Sequence, residues 1–113
     1  MLNGKVAVVT GAGKGIGKAI ALQMAELGAK VVINYRSSAA QVEELLAAIK
    51  NIGGEAIAVQ ADISQEEEAK KLINEAINEY GKLDILVNNA GITKDNLLMR
   101  ISEVDFDQVI DTN

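Results

Sequence analysis

The 113-residue sequence contains no cysteine, histidine, proline or tryptophan, and only one Phe and two Tyr. Each absence excludes something. Without cysteine there is no disulfide framework, no thiol nucleophile and no thiolate metal site. Without histidine, the commonest general base and the commonest metal ligand are both gone. The lack of proline fits a chain of regular elements joined by short glycine turns. No apolar run reaches the roughly 20 residues that cross a bilayer. The start, Met1-Leu2-Asn3-Gly4-Lys5, has no signal-peptide pattern, so a cytoplasmic protein is predicted. A net charge of −5 argues against a sequence-independent nucleic-acid binder, which needs a basic face.

What is present is the composition of one ordinary globular domain, 49% hydrophobic and 24% charged. Lys5 to Thr10 is a valine-rich run bounded by glycines, the pattern of a strand buried on both faces. From Gly15 to Leu27, Ile16, Ile20, Met24 and Leu27 share one side of a helix that Gly28 stops. Lys30 to Asn34 is a second strand. Ser38 with Gln41 forms a capping-box signature before a helix carrying Val42, Leu45, Leu46 and Ile49, ended by Gly53-Gly54. Ala56 to Gln60 is a third strand. Ser64 with Glu67 forms a second capping signature, and the helix it opens runs through Tyr80 to Gly81. Leu83 to Val87 is a fourth strand. Asn88 to about Ile101 reads as a loop, and Ser102 with Asp105 opens a last helix that continues to Asn113. Alternating strands and helices imply an α/β fold with a parallel sheet and helices on both faces. The glycine-rich turn after the first strand selects a doubly wound Rossmann-type half-fold of strand order 3-2-1-4.

That turn is Thr10-Gly11-Ala12-Gly13-Lys14-Gly15-Ile16-Gly17. Gly11 allows a tight exit from the strand, Gly15 lets the backbone approach a pyrophosphate, and Gly17 brings helix and sheet close together. The helix start then offers N–H groups and a positive dipole end to phosphates. An NAD site usually carries an acid at the end of the second strand, to hold the ribose 2′-OH. Here the residues are Asn34-Tyr35-Arg36-Ser37-Ser38. Arg36 stands where a 2′-phosphate would be, and Lys14 could add a second charge, so NADP(H) is favoured over NAD(H). Both cations have a plainer reading as solvated surface charges. At the end of the third strand, Asp62 could accept from an adenine amino group and Ile63 could pack on the ring; Asp62 is otherwise a turn residue. Asn88-Asn89-Ala90-Gly91 ends the fourth strand, where the two amides could hold neighbouring loops or a ribose, or simply form a turn.

Taken together, Thr10-Gly11-x-x-x-Gly15-x-Gly17, Asp62 and Asn88-Asn89-Ala90-Gly91 resemble the short-chain dehydrogenase/reductase family. The stretch from Asn88 to Arg100 (NNAGITKDNLLMR) is similar to the bacterial 3-oxoacyl-[acyl-carrier-protein] reductases within it. The similarity covers the whole chain but only the first half of such a protein. It implies NADP(H) contacts at Gly11, Ala12, Gly13, Lys14, Ile16, Arg36, Asp62, Ile63, Asn89 and Gly91. It also implies a catalytic, water-holding role for Asn113, and an acyl-carrier-protein thioester as the parent's substrate.

The family's remaining catalytic residues are a Ser and a Tyr-x-x-x-Lys. Ketone reduction leaves an alkoxide, and a tyrosine whose pKa is lowered by a lysine supplies its proton. In this sequence Tyr35 is followed four residues later by Ala39 and Tyr80 by Asp84, so neither makes the motif. The last helix also lacks a stop signal, where the three earlier helices end at glycine. The expectation is a cofactor-binding half, truncated at its C-terminal end and inactive or very weak alone. Such a half would self-associate through an exposed fourth-strand edge or through helix faces. A second reading is a stand-alone α/β folding module with a vestigial nucleotide site.

Overall fold

The computed structural model describes residues 1–13, 15–101 and 107–112. Among the described residues nine elements follow one another: β1 (Val6–Val9), α1 (Gly15–Glu26), β2 (Lys30–Tyr35), α2 (Ala39–Asn51), β3 (Glu55–Gln60), α3 (Glu66–Tyr80), β4 (Ile85–Asn88), α4 (Lys94–Arg100) and β5 (Gln108–Asp111). The five strands form one parallel sheet of order β3-β2-β1-β4-β5. The predicted order is therefore present, extended by one strand.

Side chains alternate across the sheet, so each buried strand feeds two layers. On one face Ala7, Val9, Val31, Ile33, Ile85 and Val87 pack with Ala21, Met24 and Ala25 of α1 and Val42, Leu45 and Ile49 of α2. On the other, Val8, Val32, Val59 and Leu86 meet Ala69, Leu72, Ile73 and Ala76 of α3, with Leu97 of α4 and Ile101. All four residues of β1 and of β4 are buried, as continuous apolar strands in a two-faced sheet must be.

Three expectations need correction. The reading of one helix from Ser102 to Asn113 fails over 108–111, which pair with β4 in the register Ile85↔Gln108, Leu86↔Val109, Val87↔Ile110 and Asn88↔Asp111. An unpaired edge of β4 offers a row of backbone hydrogen-bonding groups. Val109 and Ile110 are β-branched and suit that position, and Val109 packs on the second layer beside Leu86. Residues 102–106 lie outside the described residues. It follows that the fourth strand has no exposed edge: β1 and β5 flank it, and the route to self-association through that edge is removed. The loop assigned to 88–101 contains α4, whose N-cap Thr93 accepts at its Oγ1 from the Asn96 N–H at 3.2 Å.

The capping boxes also differ. Ser38 is the N-cap of α2 but makes no side-chain cap bond. Gln65, not Ser64, precedes α3, and the Ser64 hydroxyl turns back to Asp62.

Asp84 ties the start of β4 to β1. Its Oδ2 accepts from the Val6 N–H at 2.8 Å and lies 3.1 Å from Lys82 Nζ. Burial pushes its pKa up, but the Val6 hydrogen bond and Lys82 outweigh that and hold it below the ordinary value of 3.8. A depressed folded pKa stabilises in full above the unfolded value, and the benefit is lost as pH falls through the folded one. Asp84→Asn should therefore cost about 1 kcal/mol at pH 7. In urea titrations the gap between wild type and variant should close below pH 3.8, where the wild-type carboxylate also protonates.

Candidate functional site

The strand order reverses direction at β1, which has β2 on one side and β4 on the other. In an open parallel sheet this switch point leaves a crevice beyond the strands' carboxyl ends, where ligands bind. The glycine turn, the end of β3 and the Asn88–Gly91 turn all lie at that end.

Thr10 closes the seam between β1 and β4. It is fully buried; its N–H and its hydroxyl both donate to the Val87 carbonyl, at 2.9 and 3.2 Å, and its Oγ1 accepts from the Asn89 N–H at 2.9 Å. Asn89 Nδ2 donates to the Gly11 carbonyl at 3.3 Å. Gly17 makes that contact possible. A Cβ there would overlap the Gly11 carbonyl oxygen and stand 2.5 Å from Asn89 Nδ2. Gly11 and Gly15 both have φ of +62°, a conformation that side chains disfavour. Gly91 has φ of +81°.

Asn34 braces the turn from the other side. It is 2% exposed; its Oδ1 accepts from the Gly11 N–H at 3.2 Å, and its Nδ2 donates to the Ala61 carbonyl at 3.0 Å. Its main-chain carbonyl accepts from the Ala12 N–H at 2.8 Å. Two of the turn's amides are thus already used to hold its shape. The first turn of α1 adds donors for an anion, because its leading N–H groups have no intrahelical acceptor. Sequence reasoning missed this role for Asn34. The available signal was a polar residue inside a buried strand, and such groups are retained only with partners.

A cleft of about 240 Å³ lies beside the turn, lined among others by Gly11, Asn34, Arg36, Asp62, Ile63, Ser64 and Ala90. Arg36 Nε stands 3.8 Å from Asp62 Oδ2, with the arginine side chain 78% exposed. Asp62 Oδ1 accepts from the Ser64 hydroxyl at 2.6 Å and the Ser64 N–H at 3.1 Å. The side-chain bond from Ser64 is the main reason its pKa lies below 3.8, with the Ser64 N–H and Arg36 adding to it against a smaller opposing effect of burial. The Asp62 N–H in turn donates to Glu68 Oε1 at 2.8 Å. Asp62 is thus held ionised at the rim. Arg100 of α4 reaches the same turn, donating through Nε to the Ser64 carbonyl at 2.9 Å, a link the sequence did not reveal.

The structure brings Gly11, Arg36, Asp62 and Ile63 to one cleft. Asn89 lies against the glycine turn that borders it. Two details differ from expectation. Ile63 is 5% exposed and belongs mainly to the α3-side core, so it lends the cleft an edge and not a stacking face. Ala12 is fully buried, with its N–H spent on Asn34. Gly13 sits close to α2, where a Cβ would approach the Ser38 Cβ to 2.6 Å. Ile16 is 69% exposed at the start of α1. Lys14 and Asn113 lie outside the described residues. Asn88, fully buried, donates to the Ile92 carbonyl at 2.9 Å, while its Oδ1 has no hydrogen-bond partner among the described residues.

Tyr80 is at the wrong end of the sheet for proton donation. It ends α3, with Lys30 at the first residue of β2 lying 5.6 Å from its ring centre. Burial, then Glu55 and Glu79, push its pKa up, opposite to what a proton donor near neutral pH needs. No group of three or more acidic residues able to hold a metal ion occurs among the described residues. No helix there is long and apolar enough to cross a membrane.

The sequence profile of the short chain dehydrogenase family matches residues 5–113. The chain is 51% identical over 109 residues to a 3-oxoacyl-[acyl-carrier-protein] reductase of Staphylococcus epidermidis, covering 96% of this chain and 45% of that protein. It is 48% identical over 112 residues to the 3-oxoacyl-[acyl-carrier-protein] reductase of Synechocystis, covering 99% and 45% respectively. Among solved structures, a short-chain dehydrogenase/reductase from Serratia marcescens superposes with a TM-score of 0.81 at 32% identity, over 90% of this chain and 49% of that one. A hydroxysteroid dehydrogenase from Escherichia coli gives 0.76 at 46% identity, over 80% and 38%. The chain thus spans less than half the length of these relatives.

Proposed function

We propose, from the premise that this chain belongs to the short-chain dehydrogenase family, that it is the NADP(H)-holding half of a 3-oxoacyl-[acyl-carrier-protein] reductase. The observation that carries the cofactor assignment is the cleft where Arg36 and Asp62 face each other beside the glycine turn. The fit is chemical: a mostly exposed guanidinium at the end of β2 suits a 2′-phosphate, and no acid of β2 competes for a ribose hydroxyl. Gly11, Gly13, Lys14, Gly15 and Ile16 would supply the turn's approach to the pyrophosphate, Asp62 and Ile63 the adenine side, and Asn89 and Gly91 the neighbouring ribose. When bound, the cofactor supplies a hydride for the 3-keto carbon of an acyl-carrier-protein thioester.

This chain's own residues orient the cofactor and do little else. Asn113 would hold a water, but Tyr35 and Tyr80 lack the lysine four residues on that a proton donor needs. Turnover of NADPH with a 3-ketoacyl thioester is expected to be absent or very weak, and brisk loss of NADPH absorbance would overturn that. The domain reading of residues 1–113 as one dinucleotide-binding half is tested by cofactor titration. A cytoplasmic setting belongs to the same proposal.

Calorimetric titration tests the cofactor. Arg36→Ala should weaken NADP+ about 10- to 100-fold, the worth of a charge-assisted hydrogen bond, and leave NAD+ little changed. Lys50→Ala, in the last turn of α2, should affect neither. Equal losses for the two cofactors would remove Arg36 as the phosphate reader. No binding at millimolar NADP+ would favour the folding-module reading.

Self-association is proposed through helix faces alone. Met99 on α4 is 71% exposed and is a large apolar side chain available for it. Size-exclusion chromatography with light scattering should show a dimer at tens of micromolar, reduced by Met99→Lys; a clean monomer rules it out.

A further inference from the structure

Thr112 follows β5 directly and touches the site through a single side chain. Its Oγ1 lies 2.8 Å from Asn89 Oδ1 and 3.3 Å from the Asn88 carbonyl. A threonine hydroxyl carries one proton, and the shorter distance assigns it to Asn89. The Thr112 N–H separately donates to the Asn88 carbonyl at 3.3 Å, which ends the β4–β5 ladder. Asn89 Nδ2 points the other way, to the Gly11 carbonyl.

We infer that Thr112 is a positioning residue for the glycine turn, acting through the side-chain amide of Asn89. An asparagine amide has one accepting and one donating end. With the Gly11 carbonyl at the donating end, the accepting end is open to a donor, and the Thr112 hydroxyl provides it. The amide is therefore gripped at both ends, in a slot that only a glycine at position 17 leaves open. Gly11, whose carbonyl receives the amide, is a residue of the turn itself. The chain of contacts runs from β5 through Thr112 and Asn89 to Gly11. It joins the edge of the sheet to the phosphate-facing turn, so that the fifth strand and the turn order each other. This deepens the NADP(H) reading and rests on it for the binding outcome only.

Two readouts separate the inference from that reading. Without ligand, the two side-chain N–H signals of Asn89 should be resolved and protected in wild type by NMR. They should lose protection in Thr112→Val and keep it in Thr112→Ser, which restores the hydroxyl. With NADP+, Thr112→Val should raise Kd about five-fold, the worth of one neutral hydrogen bond, while Thr112→Ser stays near wild type. In an Asn89→Ala background Thr112→Val should add nothing further, whereas a merely structural loss at the sheet edge would still add. Unchanged Asn89 signals in Thr112→Val overturn the inference, as does an equal effect of Thr112→Val with and without Asn89. Altered Asn89 signals in a protein whose wild type binds no NADP+ support the positioning role and overturn the cofactor reading.

Discussion

The Gly17→Ala variant is expected to lose NADP+ binding by about 100-fold or more and to be less stable by about 1–3 kcal/mol. A Cβ at this position would overlap the Gly11 carbonyl oxygen and crowd Asn89 Nδ2 at 2.5 Å. The first obstacle is backbone, not the end of a flexible side chain, so α1 must move away from the sheet or the turn must deform. Either change opens the Asn89–Gly11 bond and misdirects the N–H groups of the first helical turn. Losing two charge-assisted contacts to a pyrophosphate is what sets the size of the binding loss. Gly17 itself has an ordinary φ, so the effect is steric, and Gly17→Ser should be as damaging. Urea unfolding and NADP+ titration measured together check the expectation. Wild-type affinity in a folded Gly17→Ala variant would mean that the helix can back away without disturbing the turn.

Asn34→Leu should carry the larger thermodynamic cost, about 2–4 kcal/mol, from two separate consequences. It removes a side chain that binds the Gly11 N–H and the Ala61 carbonyl, and both of those groups lose a partner inside the protein. An orphaned buried donor costs its full desolvation, more than the bond itself contributed. Leucine matches the volume roughly, so packing loss is small and the polar cost dominates. Asn34→Asp separates the two halves of the brace: it keeps an acceptor for Gly11 but has no donor for Ala61. At neutral pH it also buries a carboxylate against the Ala61 carbonyl at a position only 2% exposed, so it should cost at least as much as Asn34→Leu. Chemical denaturation at neutral pH gives the order directly, and an Asn34→Leu variant as stable as wild type would show that water reaches both orphaned groups.

Neither expectation could be formed from sequence alone. The glycine turn was legible because its signal is local: a valine strand, spaced glycines and an amphipathic helix within two dozen residues. Arg36 and Asp62 were legible because parallel strands all end at one edge of the sheet. Asn34 was passed over, since its partners at Gly11 and Ala61 lie 23 and 27 residues away. Ser64 was read as a helix cap because Glu67 follows at the right interval, yet the nearer acceptor is the Asp62 carboxylate, and the helix begins two residues later.

The segment 108–111 shows the same division most clearly. Its own pattern of apolar residues fits a helix as well as a strand, because four residues hold too little periodicity to choose between them. A short helix gains few internal hydrogen bonds for the residues it fixes. The edge of β4 offers a ladder already in place, and a pocket beside Leu86 for Val109. By itself the sequence determined the alternation of strands and helices, the sheet's parallel sense and the chemistry gathered at its carboxyl edge. Those depend on periodicity and on residue types close together in the chain. Only the tertiary structure decided the fifth strand, the Asn34 brace and the Thr112–Asn89–Gly11 contact, because each joins groups that are distant along the chain and adjacent only once the sheet has formed.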